Sequence, residues 1–265
     1  MYCLAEAAAR FHIYVLGWAT MSNHYHLIIY DHFGVYPAFI EHLNKMLARC
    51  LNRRWGRWEN LWSTEQACVT YLPTPDAIFD KLVYLLANPV ADHLVDRVVD
   101  WPGLSSLHLM DGREIVCKRP KEFFRQDGSM PKEVTLRIAP PPAFTNEPWA
   151  EWVVRVHAAV ANIENSARQE RLEKRTRVVG RKAILAASPF HSPSSAAPRG
   201  NLRPSVACRN EERRKAELAT LKEFRRAYRE ARLNFLAGDH EVEFPEGTYR
   251  LRILGARCAP FPLAA

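Results

Sequence analysis

The sequence predicts an α+β fold in which a small antiparallel sheet carries helices on one face. An alanine-rich segment opens the chain, two apolar stretches separated by a tight turn follow it, and amphipathic helical segments come next. A turn this short can join antiparallel strands, whereas parallel strands need a long crossover connection. This order of elements is typical of helices packed against one antiparallel sheet.

The first three elements form a helix followed by a hairpin. Residues 4–12 are alanine-rich, which predicts a helix. Residues 13–20 and 24–30 are rich in β-branched and aromatic side chains, which predicts two strands. Between them, residues 21–23 contain Ser and Asn, which favour a turn.

Two helices and a short strand complete the first half. Pro37 begins a helix that reaches residue 55, with apolar residues at helical spacing. Residues 62–72 predict a short strand, and a second amphipathic helix begins near residue 74 and is expected to end at Pro89. A ferredoxin-like fold has this order after one additional first strand, and the sequence supplies no residues for that strand.

The second half has a different composition. Residues 109–148 are rich in proline and charge and predict a linker, and residues 149–265 predict a basic, mainly helical extension. Within that extension, residues 210–238 predict a long helix, and residues 242–254 predict a short pair of strands.

The bulk composition is that of a soluble cytoplasmic protein. No apolar run is long enough to cross a membrane, and the first residues do not have the pattern of a signal peptide. The six cysteines form no C-x-x-C pair, which argues against a zinc ribbon or a disulfide framework. The net charge is +8, with 29 of the 37 Lys and Arg residues after residue 108. This asymmetry favours a polyanionic partner such as nucleic acid, although some basic domains have no such partner.

Two histidines stand at the start of the second strand. His24 and His26 flank Tyr25 in the stretch "MSNHYHLIIY". Side chains alternate along a strand, so the two imidazoles lie on one face and can either bind one metal ion or pack against the sheet.

A second pair of polar residues lies on the helix that follows. Tyr84 and Asn88 are four residues apart and therefore share one helical face. Tyr84 is a candidate nucleophile and Asn88 a candidate oxygen donor, while the alternative is a tyrosine packed with its hydroxyl at the rim of the core. Lys81, one turn earlier, could ease deprotonation of Tyr84 or simply be solvated.

A group of basic and aromatic residues forms a candidate nucleic-acid surface. Cations hold phosphates and indoles stack on unpaired bases, so this composition suits single strands or hairpins, whereas a solvated face with core tryptophans is the alternative. The residues are Lys45, Arg49, Arg53, Arg54, Trp55, Arg57 and Trp58.

In their order and spacing, the motifs "YVLGWATMSNHYHLIIY", "NRRWGRWENLW", "YLLANPVADHLV" and "WPGLSS" resemble the single-tyrosine transposases of the HUH superfamily, of the REP-associated type. The resemblance covers about residues 4–107. It implies a ferredoxin-like catalytic domain over residues 1–108, and we expect that domain to lack its first strand. Ser22 stands where proline is common in the family, and Tyr25 where an aliphatic residue is usual.

The resemblance also implies the roles of the site residues. It makes Tyr84 the nucleophile and His24, His26 and Asn88 the ligands of a metal ion. Such mixed nitrogen and oxygen ligation suits Mg²⁺ or Mn²⁺ better than Zn²⁺.

The implied function is that of a transposase that nicks and rejoins single-stranded or hairpin DNA through a 5′-phosphotyrosine. The alternative is a catalytically inactive DNA-binding relic of such an enzyme. The sequence leaves open whether the protein is a monomer or a homodimer.

Overall fold

The computed structural model describes residues 1–63, 66–110, 112–121, 123–140, 147–190 and 204–260. Within them the protein is a mixed α+β molecule, which confirms the predicted class. No helix in these ranges is both long enough and apolar enough to cross a membrane. The helices are α1 (Tyr2–Phe11), α2 (Tyr36–Trp55), α3 (Pro75–Ala91), α4 (Trp149–Lys174), α5 (Arg181–Ala186), α6 (Glu211–Leu236) and α7 (Arg250–Ile253). The strands are β1 (Tyr14–Thr20), β2 (Tyr25–Tyr30), β3 (Ile115–Lys118) and β4 (Glu133–Leu136).

The predicted hairpin is formed by β1 and β2, which pair antiparallel. Its last pair is Thr20 with Tyr25, and the turn closes where Met21 N–H donates to the His24 carbonyl at 2.8 Å. His24 therefore lies at the end of the turn, one residue before β2 begins.

Helices cover both faces of this hairpin, and the prediction that they lie on one face is wrong. The Tyr25 hydroxyl donates to Asn44 Oδ1 on α2 at 2.7 Å, while the His26 ring contacts the Tyr84 ring of α3. Neighbouring side chains on a strand point to opposite faces, so α2 and α3 lie on opposite sides. The cause is the nearly continuous apolar run of β1, which is buried on both faces.

The α3 helix lies very close to β1. A Cβ atom built at Gly17 would come within 2.3 Å of Leu82 Cδ1, so a larger residue here would force the buried Leu82 side chain to move. This close contact sets the distance between α3 and β1 and thereby the position of Tyr84.

The two edges of the hairpin differ. The edge of β1 that faces away from β2 is hydrogen-bonded to irregular chain. Thr20 N–H donates to the Leu104 carbonyl at 2.7 Å, and Ser106 N–H donates to the Trp18 carbonyl at 2.9 Å. Further along the same edge, Ala139 N–H donates to the Val15 carbonyl at 3.0 Å. The outer edge of β2 pairs with no strand among the described residues. The described strands form two separate two-stranded sheets, so the ferredoxin-like sheet stays a prediction.

The α3 helix passes through Pro89 and ends at Ala91, so the prediction that Pro89 stops it is wrong. Proline lacks the N–H that would bond to the residue four positions earlier, which normally disfavours this position. Here Pro89 and Val90 are fully buried, and Leu94 N–H donates to the Pro89 carbonyl at 2.9 Å. Tertiary packing thus carries the helix almost one turn further.

The segment predicted as a linker contains the β3–β4 hairpin. Cys117, Leu136 and Ile138 are buried in the same hydrophobic core as α1 and β1. Residues 111, 122 and 141–146 of this segment lie outside the described part of the chain. The core also includes Trp152 of α4, so it extends into the C-terminal half.

One predicted strand and one predicted strand pair are absent from the described residues. In the 62–72 segment, of which 64–65 are not described, only Tyr71 makes an isolated bridge, to Val206. The predicted strand pair at 242–254 is instead α7 with a single bridge between Phe244 and Cys258. The reason for the second difference is that the "TYRLRIL" segment satisfies its backbone locally as one helical turn.

Candidate metal and tyrosine site

The hairpin turn brings the two histidines together. His24 Nε2 and His26 Nε2 are 3.2 Å apart, and the two rings are nearly perpendicular, at 89°. Two nitrogen ligands that bind one ion at about 2.1 Å and at right angles would be about 3.0 Å apart. The separation of the two nitrogens therefore fits two adjacent positions around one metal ion.

Asn23 orients the His24 ring. His24 Nδ1 lies 2.7 Å from Asn23 Oδ1, and this hydrogen bond requires the proton on Nδ1. The lone pair is then on Nε2, the atom that faces His26. Partners of this kind fix the tautomer of a metal-binding histidine.

Both imidazoles favour the neutral form. Burial lowers the pKa of His24 and of His26, and the neighbouring His24 lowers the pKa of His26 further, while the Asp92 carboxylate acts in the opposite direction on both. Desolvation penalises the charged imidazolium. Two uncharged nitrogens are therefore available as ligands at neutral pH.

Tyr84 lies beside the histidines. Its ring centroid is 5.8 Å from that of His26, in an edge-on arrangement, and half of the residue is exposed. Lys81 Nζ lies 5.0 Å from the centre of the Tyr84 ring. The tyrosine is thus accessible and has a cation close by.

Tyr25 has the opposite character. Its hydroxyl is bonded to Asn44 on the other face of β2, and burial raises the pKa of Tyr25 to about 12. Tyr25 keeps its proton at neutral pH. Of the two tyrosines near the histidines, Tyr84 is the more exposed, whereas the Tyr25 hydroxyl is engaged with Asn44.

Asn88 is one helical turn beyond Tyr84. It is 4% exposed, and its Oδ1 atom has no hydrogen-bond partner among the described residues. A buried polar atom without a partner costs about 1–3 kcal/mol, so such atoms often mark ligand sites. The described residues contain no cluster of three His, Cys, Asp or Glu side chains suited to a metal ion. A metal bound to His24 and His26 would therefore need ligands of another kind, such as an amide oxygen or water.

Sequence reasoning missed Asn23 and Asp92. Asp92 continues the Tyr84–Asn88 spacing by one more turn, its N–H donates to the Asn88 carbonyl at 3.0 Å, and its charge acts on both imidazoles. The spacing of four residues was the available signal. Asn23 gave a weaker signal, because turn asparagines usually bond to their own backbone.

The basic residues proposed for DNA binding lie elsewhere. Lys45, Arg49 and Arg53 are exposed on α2, and none forms a hydrogen bond or ion pair with another described residue. Because α2 and α3 lie on opposite faces of β2, the structure does not bring these cations next to Tyr84.

The aromatic part of this group is divided. Trp58 is 92% exposed, whereas Trp55 is half-buried. Arg57 forms an ion pair with Glu59 at 3.4 Å, and Arg54 is exposed but interacts with another group. The exposed cations and Trp58 are thus the members of the group best placed to meet a ligand.

Asn88→Leu is expected to raise the free energy of unfolding of the metal-free protein by about 1 kcal/mol, because it removes a buried acceptor without a partner. The same change should weaken Mn²⁺ binding, whereas Asn88→Asp, which keeps an oxygen, should retain it. Chemical denaturation and Mn²⁺ titration by electron paramagnetic resonance measure the two effects. A destabilised Asn88→Leu protein with unchanged Mn²⁺ affinity would show that Asn88 has only a structural role.

Comparisons of the chain with protein-family models, with curated protein sequences and with solved structures found no match.

Proposed function

We propose that the protein is a transposase that nicks and rejoins single-stranded DNA through a covalent bond to Tyr84. The observation that carries the proposal is the contact of Tyr84 with His26, whose Nε2 atom lies 3.2 Å from that of His24. About 58 residues separate Tyr84 from His26 in the sequence, and the family resemblance implies that the two belong to one site. The unpartnered Oδ1 of Asn88 supports the same site.

The reaction is an in-line displacement at a backbone phosphate. The Tyr84 oxygen forms a bond to phosphorus, the bond from phosphorus to the 3′-oxygen breaks, and that oxygen takes up a proton. The products are a 5′-phosphotyrosine and a free 3′-hydroxyl. A 3′-hydroxyl that attacks the phosphotyrosine rejoins the strand and returns the proton to Tyr84, so no other energy source is needed.

The residues around Tyr84 have distinct tasks. A phenol is a weak nucleophile until its proton leaves. Lys81 Nζ, 5.0 Å from the centre of the Tyr84 ring, would place a positive charge near a phosphate held at Tyr84. His24, His26 and Asn88 would hold Mg²⁺ or Mn²⁺, which supplies Lewis acidity toward the phosphate. Asn23 keeps the His24 ring in its ligand tautomer.

The proposed fold is a ferredoxin-like sheet in which β2, the strand that carries His26, is a central strand. The order α1–β1–β2–α2 matches that fold after its first strand. The proposed setting is the cytoplasm, where such an enzyme meets DNA.

The second candidate is a DNA-binding relic without catalytic activity. It is favoured by the outer edge of β2, which pairs with no strand among the described residues. His26 lies in β2 and His24 one residue before it, so a weakly held β2 would misplace both proposed ligands.

One experiment separates the two candidates. The protein is incubated with Mn²⁺ and a 3′-labelled single-stranded oligonucleotide that contains a hairpin, and the products are run on a denaturing gel. The transposase should give a slowly migrating complex that carries the 3′ label. A chelator should prevent its formation, and a label at the 5′ end should remain on the released fragment. A relic should bind the DNA and give no covalent complex, and a complex formed equally with duplex DNA would contradict the single-strand assignment.

Replacing Lys45, Arg49 and Arg53 with glutamine should lower the salt dependence of single-strand binding. Each phosphate contact contributes about 0.7 to the slope of log affinity against log salt, so the slope should fall by about 2. The matched control neutralises three α6 cations that form ion pairs, Arg213, Lys215 and Arg226. If the control lowers the slope as much as the α2 variant, net charge and not the α2 surface governs binding.

A further inference from the structure

Trp58 is exposed in a way that the fold does not explain. At 92% exposure it has the largest exposed fraction among the exposed large apolar side chains of the described residues. Its ring contacts no other aromatic ring or cation in that part of the chain. Tryptophan is usually well buried, so an indole held in water suggests a binding partner.

Trp58 borders an open cleft of about 410 Å³ between the end of α2 and the chain that follows it. The volume lies within the usual range of small-molecule pockets. The loop is anchored at two points, because Trp62 Nε1 donates to the Asn44 carbonyl at 2.8 Å and Asn52 Nδ2 donates to the Glu59 carbonyl at 2.7 Å. These two hydrogen bonds hold the segment after α2 against the helix.

The lining combines apolar and polar groups. Leu61 and the indoles of Trp58 and Trp62 provide apolar surface, and Asn60 provides hydrogen-bonding groups. Arg49 brings a positive charge into the cleft. A planar ligand with polar edges and a nearby negative charge fits this combination.

The charge around the cleft is cationic. Lys45, Arg49 and Arg53 follow one another along α2 at intervals of four residues and have no acidic partner among the described residues. The acidic lining residue, Glu59, is paired with Arg57 at 3.4 Å. The exposed carboxylate of α2, Glu41, lies one turn before Lys45, so the cationic part of the helix is its second half, next to the cleft.

We propose that this cleft binds an unpaired nucleobase of single-stranded DNA, which stacks on Trp58 while its neighbouring phosphates lie against Arg49 and the rest of the α2 cations. Bases of every type stack on aromatic side chains, and cations along the same groove hold the backbone. The inference rests on the proposed function only in its choice of DNA as the nucleic acid.

The cleft is connected to the tyrosine site through one residue of β2. The Trp62 ring lies 5.9 Å from the Tyr25 ring, and Tyr25 separates His24 from His26 on the strand. A DNA strand held in the cleft would pass around the start of β2 to reach Tyr84 on the other face. The cleft thus holds a nucleotide at some distance from the phosphate that is cut.

The test measures binding without catalysis. The full chain is titrated, with a chelator present, into a fluorescent oligothymidine of about 12 nucleotides, within the range of strand lengths that such surfaces cover, and separately into a duplex of equal length. Trp58→Ala should weaken binding of the single strand by between about 5-fold and 150-fold, which corresponds to the loss of one stacked base. Trp58→Phe should stay within about 3-fold of the wild type because it keeps an aromatic face.

Two controls make the result specific. Phe190→Ala removes another exposed aromatic ring, 61% exposed, and should leave single-strand affinity unchanged. Binding of the duplex should be unaffected by Trp58→Ala, since paired bases cannot enter the cleft.

Two results would overturn the inference. The first is a Trp58→Ala protein that binds the single strand as tightly as the wild type does. The second is an equal loss of affinity for the single strand and for the duplex. Failure of the proposed reaction is a separate result, because it appears as a missing covalent complex while the effect of Trp58 on binding persists.

Discussion

The Tyr84→Phe protein is expected to form no covalent DNA complex, with a loss of at least about 10³-fold, the scale seen when a catalytic nucleophile is removed. Phenylalanine keeps the ring that meets His26 edge-on but lacks the attacking oxygen. The helix and the metal ligands should be unaffected. The measurement is the yield of complex on a denaturing gel with 3′-labelled hairpin DNA and Mn²⁺.

Tyr71 provides the matched control for this prediction. It is exposed to a similar degree, 56% against 50%, and lies outside the site. Tyr71→Phe should give the full yield of complex. If Tyr84→Phe still formed the complex, another residue would be the nucleophile and the assignment of the site would be wrong.

The second large effect concerns the metal. His24→Ala and His26→Ala should each weaken Mn²⁺ binding by more than about 100-fold, because even residues that only support a ligand typically contribute 10-fold to 100-fold. Binding is measured by titration in the absence of DNA, so the result does not depend on catalysis. Nicking should be lost in parallel.

A graded series strengthens this test. Asn23→Ala removes the partner of His24 Nδ1 and should weaken Mn²⁺ binding by about 10-fold. His157→Ala, at an exposed position on α4, should have no effect. Equal Mn²⁺ affinity in the His24, His26 and His157 variants would mean that the histidine pair is not a metal site.

The parts of the fold that follow from local periodicity were predictable. The hairpin and α2 have strong apolar patterns and recognisable turn or start residues, and both are present near the expected bounds. The same rules placed His24 beside His26 and Tyr84 one turn before Asn88. They could not show that Tyr84 meets His26, because that contact depends on how α3 packs against the β1–β2 hairpin. That contact was expected only from the family resemblance.

The errors arose where tertiary packing outweighs local preference. Pro89 would end an isolated helix, but its burial lets α3 continue to Ala91. The β3–β4 hairpin lies in a segment whose proline and charge content indicated a linker. A few apolar residues such as Leu136 are enough to pack this hairpin against the core. The second helix-covered face could have been inferred from the apolar run of β1, which has too few polar residues for a solvated face.

The central claim is that Tyr84 becomes covalently bound to DNA. The most direct measurement is mass spectrometry of the complex after nuclease and protease digestion, because the chain has nine tyrosines and only a map of the peptides tells them apart. We predict a nucleotide phosphate on the peptide that contains Tyr84, attached through the 5′-phosphate. A phosphate on any other tyrosine, or no modified peptide from a reaction in which the DNA is cut, would contradict the assignment.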